Sequence, residues 1–276
     1  MSKALSACHG HFGRAAVYQL NRPSNCHAHR EGHLIFHVGG ADGFIEVGCR
    51  RHVLSEHTVV AINPWEPHTF IPGDTGTGGV YFLLYINADW LAQRSGTGEG
   101  LQFGATCFGR TPGLNKVVRR VAALVCGAPT LHGLDGELRQ VIDACYLESE
   151  GQAEEPGLAS PQRIADFRIR KSIQVLCDRV GDDVELDSVA RASCLSRPHF
   201  YRLFRQNTGV TPNVYRNTLL VERALDALVS TVTPVSDICF GLGFNSQSSF
   251  TRFFAANVGM APTDYRRRAQ IFSESA

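Results

Sequence analysis

Ten residues of this 276-residue chain recur 50 positions later, between residues 187 and 216 and their counterparts. Ordinary residue frequencies would give roughly two such matches in a window of that length. The repeat therefore predicts two copies of one structural unit, side by side in the chain. The recurring pairs are Asp187/Asp237, Ser196/Ser246, Phe200/Phe250, Arg202/Arg252, Phe204/Phe254, Asn207/Asn257, Gly209/Gly259, Pro212/Pro262, Tyr215/Tyr265 and Arg216/Arg266.

Each copy has the residue pattern of a helix-turn-helix unit. In the first copy, the hydroxyl of Ser196 is expected to cap a helix by accepting a backbone N–H. Phe200 and Phe204 lie on one apolar stripe of that helix, and Gly209 is expected to end it. The second copy repeats the pattern with Ser246, Phe250, Phe253, Phe254 and Gly259.

The face opposite the phenylalanine stripe is polar in both predicted helices. Arginine, glutamine, serine and threonine side chains can contact base edges and phosphates, which favours DNA binding. An ordinary solvated helix face is the alternative for either copy taken alone. The residues predicted to bind DNA are Arg197, Tyr201, Arg202 and Arg205 in the first copy, and Gln247, Ser248, Thr251 and Arg252 in the second.

Two stretches, LSRPHFYRLFRQNTGVTPNVYR and GLGFNSQSSFTRFFAANVGMAPTDYRRR, are linked by LLVERALDAL. Together they resemble the DNA-binding domain of the AraC/XylS family of bacterial transcription regulators, over residues 167–269. The resemblance implies a linking helix over residues 212–229 and two recognition helices that enter successive major-groove segments of promoter DNA. It places base-reading positions on seven of the predicted DNA-binding residues and not on Arg205. The seven are Arg197, Tyr201 and Arg202 in the first copy, and Gln247, Ser248, Thr251 and Arg252 in the second. Pro198 stands where family members often carry a base-contacting side chain, and it offers only apolar contact.

The N-terminal region has the pattern of a β domain. Within residues 12–86, short apolar segments alternate with glycine-rich turns, which is typical of a sandwich or small barrel. Strands are predicted at 34–38, 43–47, 58–62 and 80–86.

Histidine is concentrated in this region, where nine of the 11 histidines precede position 69. Residues 27, 29 and 33 share parity, so an extended strand would aim all three at one face. Converging imidazoles suit Zn, Fe, Ni or Cu.

The stretches HAHREGHLIFHVGG and INPWEPHTF resemble the two motifs of the cupin barrel. The resemblance maps His27, His29 and His33 onto the first set of metal ligands, and His68 onto the second. A cupin has glutamate where His33 stands. Sensor domains of the regulator family often hold an organic effector in place of a metal. The sequence is therefore compatible with either a metal ion or an organic effector in the cavity. The predicted effector-binding residues are His27, His29, His33, His68, Glu31, His37 and Trp65, with Glu66 and Phe70 also near the cavity.

Two helices and a linker are predicted between the two regions. Residues 114–126 and 134–147 have helical apolar periodicity, and their stripes serve either the core of one subunit or a dimer interface. Acidic, small and helix-breaking residues at 148–157 predict a linker. The predicted domains are therefore an effector-binding and dimerisation domain at 1–150, a linker at 151–163, and a DNA-binding domain at 164–276.

The expected fold class is α+β multidomain, with a cupin-like β-barrel, a helical dimerisation segment and an all-α double helix-turn-helix domain. No apolar run reaches the roughly 18 residues of a membrane helix, and no signal peptide is apparent. Nine cysteines without CxxC spacing indicate reduced thiols and a cytoplasmic location.

The leading interpretation is a DNA-binding transcription regulator controlled by a small-molecule effector. By resemblance to the family, it is expected to be a homodimer and an activator that contacts RNA polymerase. No catalytic acid or nucleophile pattern is present, so it is not expected to be an enzyme. A cupin metalloprotein or metalloenzyme fused to a DNA-binding module is the first alternative. An architectural DNA-binding protein without effector control is the second.

Overall fold

The computed structural model of the chain describes residues 2–73, 76–95, 101–127, 131–152, 164, 166–182 and 185–271. The first half contains strands β1 (Lys3–Gly10), β2 (Gly13–Leu20), β3 (Gly32–Gly40), β4 (Gly43–Val47), β5 (Arg50–Leu54), β6 (Thr58–Ile62), β7 (His68–Pro72), β8 (Gly79–Ile86) and β9 (Cys107–Gly109), with helices α1 (Ala88–Ser95), α2 (Pro112–Cys126) and α3 (Leu131–Gly151). The second half contains helices α4 (Phe167–Asp178), α5 (Leu186–Ala192), α6 (Arg197–Thr208), α7 (Pro212–Ser230), α8 (Val235–Gly241), α9 (Gln247–Val258) and α10 (Pro262–Arg268), followed by β10 (Ala269–Ile271).

Two facing sheets form the β domain. The larger has the strand order β10-β1-β2-β8-β3-β6-β9, and the smaller has the order β5-β4-β7. Their facing apolar side chains, such as Ile35 and Leu83 against Ile45 and Phe70, belong to one buried cluster. All four predicted strands are confirmed, as β3, β4, β6 and β8.

Helices α2 and α3 cover the outer face of the larger sheet. Val118 and Val121 of α2 are fully buried there, as are Leu138 and Val141 of α3, in one cluster with strand residues such as Phe82. Both helices are confirmed, and both apolar stripes pack within the chain. The intrachain alternative thus accounts for these stripes.

The predicted linker begins too early in the sequence. Residues 148–151 continue α3 as helix, so the expectation of a linker there is wrong. Ser149 is fully buried and its hydroxyl donates to the carbonyl of Tyr146. Both contacts favour a helical conformation of this segment over an extended one. The part of the predicted linker at 153–157 lies outside the described residues.

The repeat corresponds to two matching helix-turn-helix units, α5–α6 and α8–α9, joined by α7. Asn207 and Asn257 both donate a side-chain hydrogen bond four residues back, at 2.9 and 2.8 Å. Gly209 and Gly259 end their helices with φ of 77° and 90°, in the left-handed region where glycine is favoured.

One capping expectation is wrong. Ser196 stands at the N-cap of α6, but its hydroxyl accepts no capping hydrogen bond. Pro198 at the second helical position has no N–H to donate, which removes one of the two usual partners. In the second unit, Ser246 does accept a hydrogen bond from the backbone N–H of Ser249, at 3.2 Å.

The two halves of the chain are joined by a shared sheet. β10 follows α10 and pairs in parallel with β1, with Ala7 opposite Ala269 and His9 opposite Ile271. The C-terminal end of the helical half therefore completes the edge of the N-terminal sheet.

Among the described residues, no helix has the length and apolar character of a membrane span.

Candidate functional site

The floor of the candidate site is a set of cross-strand rows on the larger sheet. Arg14 of β2 lies opposite Tyr85 of β8, which lies opposite His33 of β3. Because side chains alternate along each strand, the next row on the same face lies two residues further along, and that row is apolar. It contains Ala16, Leu83 and Ile35, and the row beyond it contains Tyr18, Tyr81 and His37.

A cavity lies over this floor. Its apolar lining comes from both sheets, and its polar lining is mostly histidine and tyrosine. The last residues of α9 and the glycine after it form part of the wall, so the helical half closes the cavity. The lining residues are Tyr18, Leu20, Arg22, Ser24, His27, His33, Ile35, Ile45, His68, Phe70, Tyr81, Leu83, Tyr85, Asn257, Val258 and Gly259.

Four imidazoles cluster at one end of the cavity. The rings of His27 and His68 are 4.4 Å apart, and the rings of His29 and His33 are 5.0 Å apart. His27 and His68 also exchange two backbone hydrogen bonds, at 3.0 and 2.9 Å. The prediction that these histidines share one face rested on an extended strand from 27 to 33. In the structure only His33 is in that strand, β3, and the chain bends at residues 30–31.

Burial keeps these imidazoles neutral. Desolvation lowers the pKa of His68 to about 3, and it lowers the pKa of His27 below its usual value. The pKa values of His29 and His33 fall well below the usual range, first because of burial and then because of the neighbouring histidines. Neutral imidazoles retain a nitrogen lone pair, so the cluster can accept hydrogen bonds or bind a metal ion.

Four predicted effector residues are absent from the lining, and one of them, His29, belongs to the histidine cluster beside it. His37 faces the far row of the floor, where its Nε2 is 3.2 Å from the carbonyl of Gly40. Glu31 does not line the cavity. Trp65 stacks in parallel on Tyr215 of α7, with ring centroids 4.3 Å apart.

Three residues of the floor were not singled out from the sequence. Arg14, Tyr18 and Tyr85 are all buried. The Nε of Arg14 has no hydrogen-bond partner among the described residues, and Arg14 forms no ion pair with any of them. The guanidinium of Arg14 stacks on Tyr85, 3.6 Å from the ring centroid. The alternation of GRAAVYQL was a usable signal, since it places Arg14 and Tyr18 on one face.

The two halves of the chain are in contact around the cavity. The backbone N–H of Asn25 donates to the carbonyl of Ala256 in α9, at 2.9 Å. Arg30 and Glu222 of α7 form an ion pair at 3.0 Å. His9 of β1 is hydrogen-bonded through Nε2 to the hydroxyl of Tyr265 in α10, at 2.6 Å.

The candidate DNA interface of the first unit is the outer face of α6. Arg202 and Arg205 are exposed and form no ion pair with any described residue. Arg197 is exposed and pairs with Asp187 at 3.0 Å. Tyr201 is half-buried, and its ring lies 5.6 Å from the guanidinium of Arg197.

The second unit presents the corresponding face of α9. Gln247, Ser248 and Arg252 are exposed, and Thr251 is half-buried between them and the phenylalanine stripe. Arg252 forms no ion pair with any described residue, so its guanidinium is available for an external partner.

The fold and the two surfaces define a protein that joins a ligand-binding β domain to paired helix-turn-helix units. A model described as an AraC-like ligand binding domain matches residues 10–142, and one described as a helix-turn-helix domain matches residues 189–268. The chain belongs to the AraC/XylS family of transcription regulators.

Individual relatives agree with this membership. The HTH-type transcriptional regulator MtrA from Neisseria gonorrhoeae is 25% identical over 137 residues, which cover 50% of this chain and 45% of MtrA. The arabinose operon regulatory protein from Escherichia coli K12 is 30% identical over 102 residues, which cover 37% of this chain and 35% of that protein. The chain thus aligns with less than half of each relative. Both are named as regulators, in agreement with the expectation that this chain is not an enzyme.

A solved protein shares the complete two-part fold. The apo form of ToxT from Vibrio cholerae superposes with a TM-score of 0.62 at 11% identity, covering 92% of this chain and 96% of that one. A second structure, of ToxT with an unsaturated fatty acid bound, has a TM-score of 0.60 at the same identity, and the superposition covers 92% of this chain and 94% of that one. At this identity the likeness concerns the fold alone, and it supports the expected α+β architecture.

The Glu222 carboxyl makes the contact between the two halves sensitive to pH. Burial raises its pKa to about 7, although Arg30 opposes the shift. The folded protein therefore holds a proton on Glu222 between about pH 4.5 and 7, where the unfolded chain has lost it. Stability from this group is lost as the pH rises through that window.

We expect Glu222→Gln to remove this loss. One pKa unit corresponds to about 1.4 kcal/mol, and partial exposure reduces the effect, so the stability of the variant relative to the original should rise by about 1–2 kcal/mol from pH 5 to pH 8. Urea unfolding of both proteins at the two pH values measures the difference. Parallel pH profiles for the two proteins would show that Glu222 does not titrate in this window.

Proposed function

We propose that the chain is a sequence-specific DNA-binding transcription regulator whose DNA affinity is controlled by a small molecule in the β-domain cavity. One observation carries this proposal. The first turn of α9 presents Gln247 and Ser248 to solvent, while its last turn supplies Asn257 and Val258 to the cavity wall. At 1.5 Å per residue, a helix of this length spans about 18 Å. A single rigid element thus links the proposed ligand site to the proposed DNA-reading surface.

The DNA-binding role rests on the duplicated scaffold and its unequal outer faces. Buried positions such as Phe200 and Phe250 repeat, whereas Tyr201 is replaced by Thr251 in the second unit. Two units with one scaffold and different outer residues suit two different segments of one DNA site. The proposed DNA-binding residues are Arg197, Tyr201, Arg202, Arg205, Gln247, Ser248, Thr251 and Arg252.

The β domain contacts the same repeated position in both units. Tyr215, in α7 just after the first unit, stacks on Trp65, and Tyr265, in α10 just after the second unit, is hydrogen-bonded to His9. Each tyrosine also packs edge-on against the last phenylalanine of its unit, Phe204 or Phe254. A ligand that shifts the β domain would therefore act on both units through equivalent side chains, and change the population able to bind DNA.

The lining indicates an amphipathic organic acid as the effector. Leu20, Ile35 and Phe70 offer an apolar surface, and the histidine cluster with Tyr85 offers a polar end. The buried guanidinium of Arg14, which forms no ion pair with any described residue, lies behind Tyr85 and contributes positive charge at that end, which favours a carboxylate. ToxT, a relative in fold, has been solved with a ligand of this class.

Further parts of the proposal follow the family resemblance. We propose that the protein acts as a homodimer in the cytoplasm, binds double-stranded promoter DNA and, as an activator, contacts RNA polymerase. The proposed effector-binding residues are His27, His29, His33 and His68, whereas Glu31, His37 and Trp65, also expected from the sequence, are not among the residues that line the cavity. The domains are an effector-binding and dimerisation domain that ends with α3, a linker that follows α3 and ends at residue 163, and a DNA-binding domain at 164–276.

The DNA-reading role of the two repeated arginines has a direct test. Replacing Arg202 or Arg252 with alanine should weaken binding to a selected operator by about 1–3 kcal/mol, because a base-edge hydrogen bond is lost. The loss should vary with the base at one operator position. Fluorescence anisotropy with operator variants measures it.

The matched control is Arg223→Ala, an exposed arginine on α7 outside both reading faces. It should change the affinity little. Equal weakening across all operator variants would show that Arg202 and Arg252 contact phosphates, and unchanged affinity in both would contradict the proposed DNA surface.

The effector class is tested with decanoate and, as a control, decanol. Ligand that binds only the folded state raises the melting temperature by mass action. Decanoate should raise that temperature in a dose-dependent way, and decanol should do so much less because it lacks the carboxylate. Equal shifts with both compounds, or none with either, would contradict an organic acid as the effector.

A further inference from the structure

The first helix-turn-helix unit brings two oppositely charged side chains together on its outer face. Asp187 lies in the first turn of α5, and Arg197 is the first residue of α6. The Nη1 of Arg197 donates to Oδ2 of Asp187 at 3.0 Å and lies 3.0 Å from Oδ1 as well. The side chains of Arg197 and Asp187 are 63% and 39% exposed, and exposed pairs of this kind contribute little to stability. Stability of the fold is therefore a poor explanation for the pair.

Two contacts hold the Arg197 side chain and leave one edge of its guanidinium open. The carboxylate of Asp187 binds Nη1, and the ring of Tyr201, one turn further along α6, lies 5.6 Å from the guanidinium carbon. Tyr201 packs edge-on against buried Phe200, with ring centroids 5.8 Å apart. The Nε and Nη2 of Arg197 make no hydrogen bond with any described residue. These two N–H groups lie on one edge of the planar group, where they form a pair of parallel donors suited to bidentate contacts.

The 50-residue repeat separates this pair from the shared scaffold. Asp187 recurs as Asp237 in the first turn of α8, but Gln247 stands at the position equivalent to Arg197. In the described part of the chain Asp237 makes no hydrogen bond with Gln247, and its Oδ1 accepts from the hydroxyl of Ser236 at 3.0 Å. An acidic residue in the first turn of a helix is favoured in both units. The contact with an arginine is confined to the first.

We propose that Asp187 is a positioning residue that holds Arg197 for bidentate contact with a guanine in the major groove. Guanine presents the acceptors O6 and N7 there, which match the two parallel donors of the arginine. Asp187 acts through Arg197 and not on the guanine itself, because an ionised carboxylate can only accept hydrogen bonds. This inference rests on the DNA-binding function proposed above, to which it adds one base and one positioning residue.

The negative charge of Asp187 gives this role a signature of its own. A carboxylate close to DNA repels the phosphates, so Asp187 lowers the part of the affinity that does not depend on sequence. Its ion pair restricts the long side chain of Arg197 before DNA binds, which reduces the side-chain entropy lost on binding in the reading geometry. Asp187 is therefore expected to raise the preference for one base without strengthening the binding of unrelated DNA.

The test uses the full chain and an operator selected from random DNA with the original protein. Fluorescence anisotropy gives dissociation constants for that operator, for operators with each single base pair replaced, and for unrelated DNA. Arg197→Ala identifies the guanine, because discrimination of roughly 5–150-fold at that base pair is lost. Asp187→Asn should lower the discrimination at the same base pair by about two- to fivefold, the range of an exposed ion pair, and should not weaken the binding of unrelated DNA.

Asp237→Asn is the matched control, since it makes the same change at the equivalent helix start without an arginine partner. It should leave the discrimination at that base pair unchanged. The double variant Asp187→Asn/Arg197→Ala should discriminate as Arg197→Ala alone does, because the effect of Asp187 passes through Arg197. Circular dichroism shows that each variant is folded.

Three results would each overturn the inference. They are unchanged discrimination in Asp187→Asn, an equal loss in Asp237→Asn, and uniform weakening across all operator variants in Arg197→Ala, which would make the arginine a phosphate contact. In all three the original protein still binds its operator, so the DNA-binding function stands. If no operator can be selected with the original protein, the proposed function fails and this inference fails with it.

Discussion

A row of side chains across the larger sheet connects the histidine cluster to the helical half of the chain. Strand register places His9, Arg14, Tyr85 and His33 opposite one another in that order. His33 stacks on Tyr85 at 4.8 Å, Arg14 stacks on the same ring, and His9 reaches Tyr265 of α10. Arg14, Tyr85 and His33 are buried and His9 is half-buried, so a change in charge at one end of the row acts through a medium that screens it weakly.

The β domain contacts the helical half at two positions that the repeat makes equivalent. Trp65 and His9 contact Tyr215 and Tyr265, which the 50-residue repeat makes equivalent. α9 adds a third connection, since its last turn closes the cavity. The readout surfaces differ between the units while the contacts with the β domain correspond. A ligand in the cavity is thus in a position to move both reading helices together.

Local signals in the sequence predicted the helical half well. A phenylalanine stripe and a glycine that ends a helix each depend on residues only a few positions apart. The buried faces and the C-terminal ends of α6 and α9 agree with both signals. The failed cap at Ser196 has a local cause in Pro198. The floor of the cavity was harder to predict, because the pairing of Arg14 with Tyr85 joins residues distant in the sequence. The stacking of Trp65 on Tyr215 depends on how the two halves dock, which no local pattern encodes.

The central claim is that filling the cavity changes DNA affinity through α9. Leu83→Trp fills the apolar middle of the cavity floor without any added ligand, and Val53→Trp, at an exposed position on β5, is the control. Dissociation constants for one operator, selected with the original protein, are measured for all three proteins after circular dichroism shows that they are folded. Coupling energies between sites correspond to affinity changes of about 5–150-fold, so a change of at least about fivefold is expected for Leu83→Trp alone. An unchanged dissociation constant in folded Leu83→Trp would contradict the account.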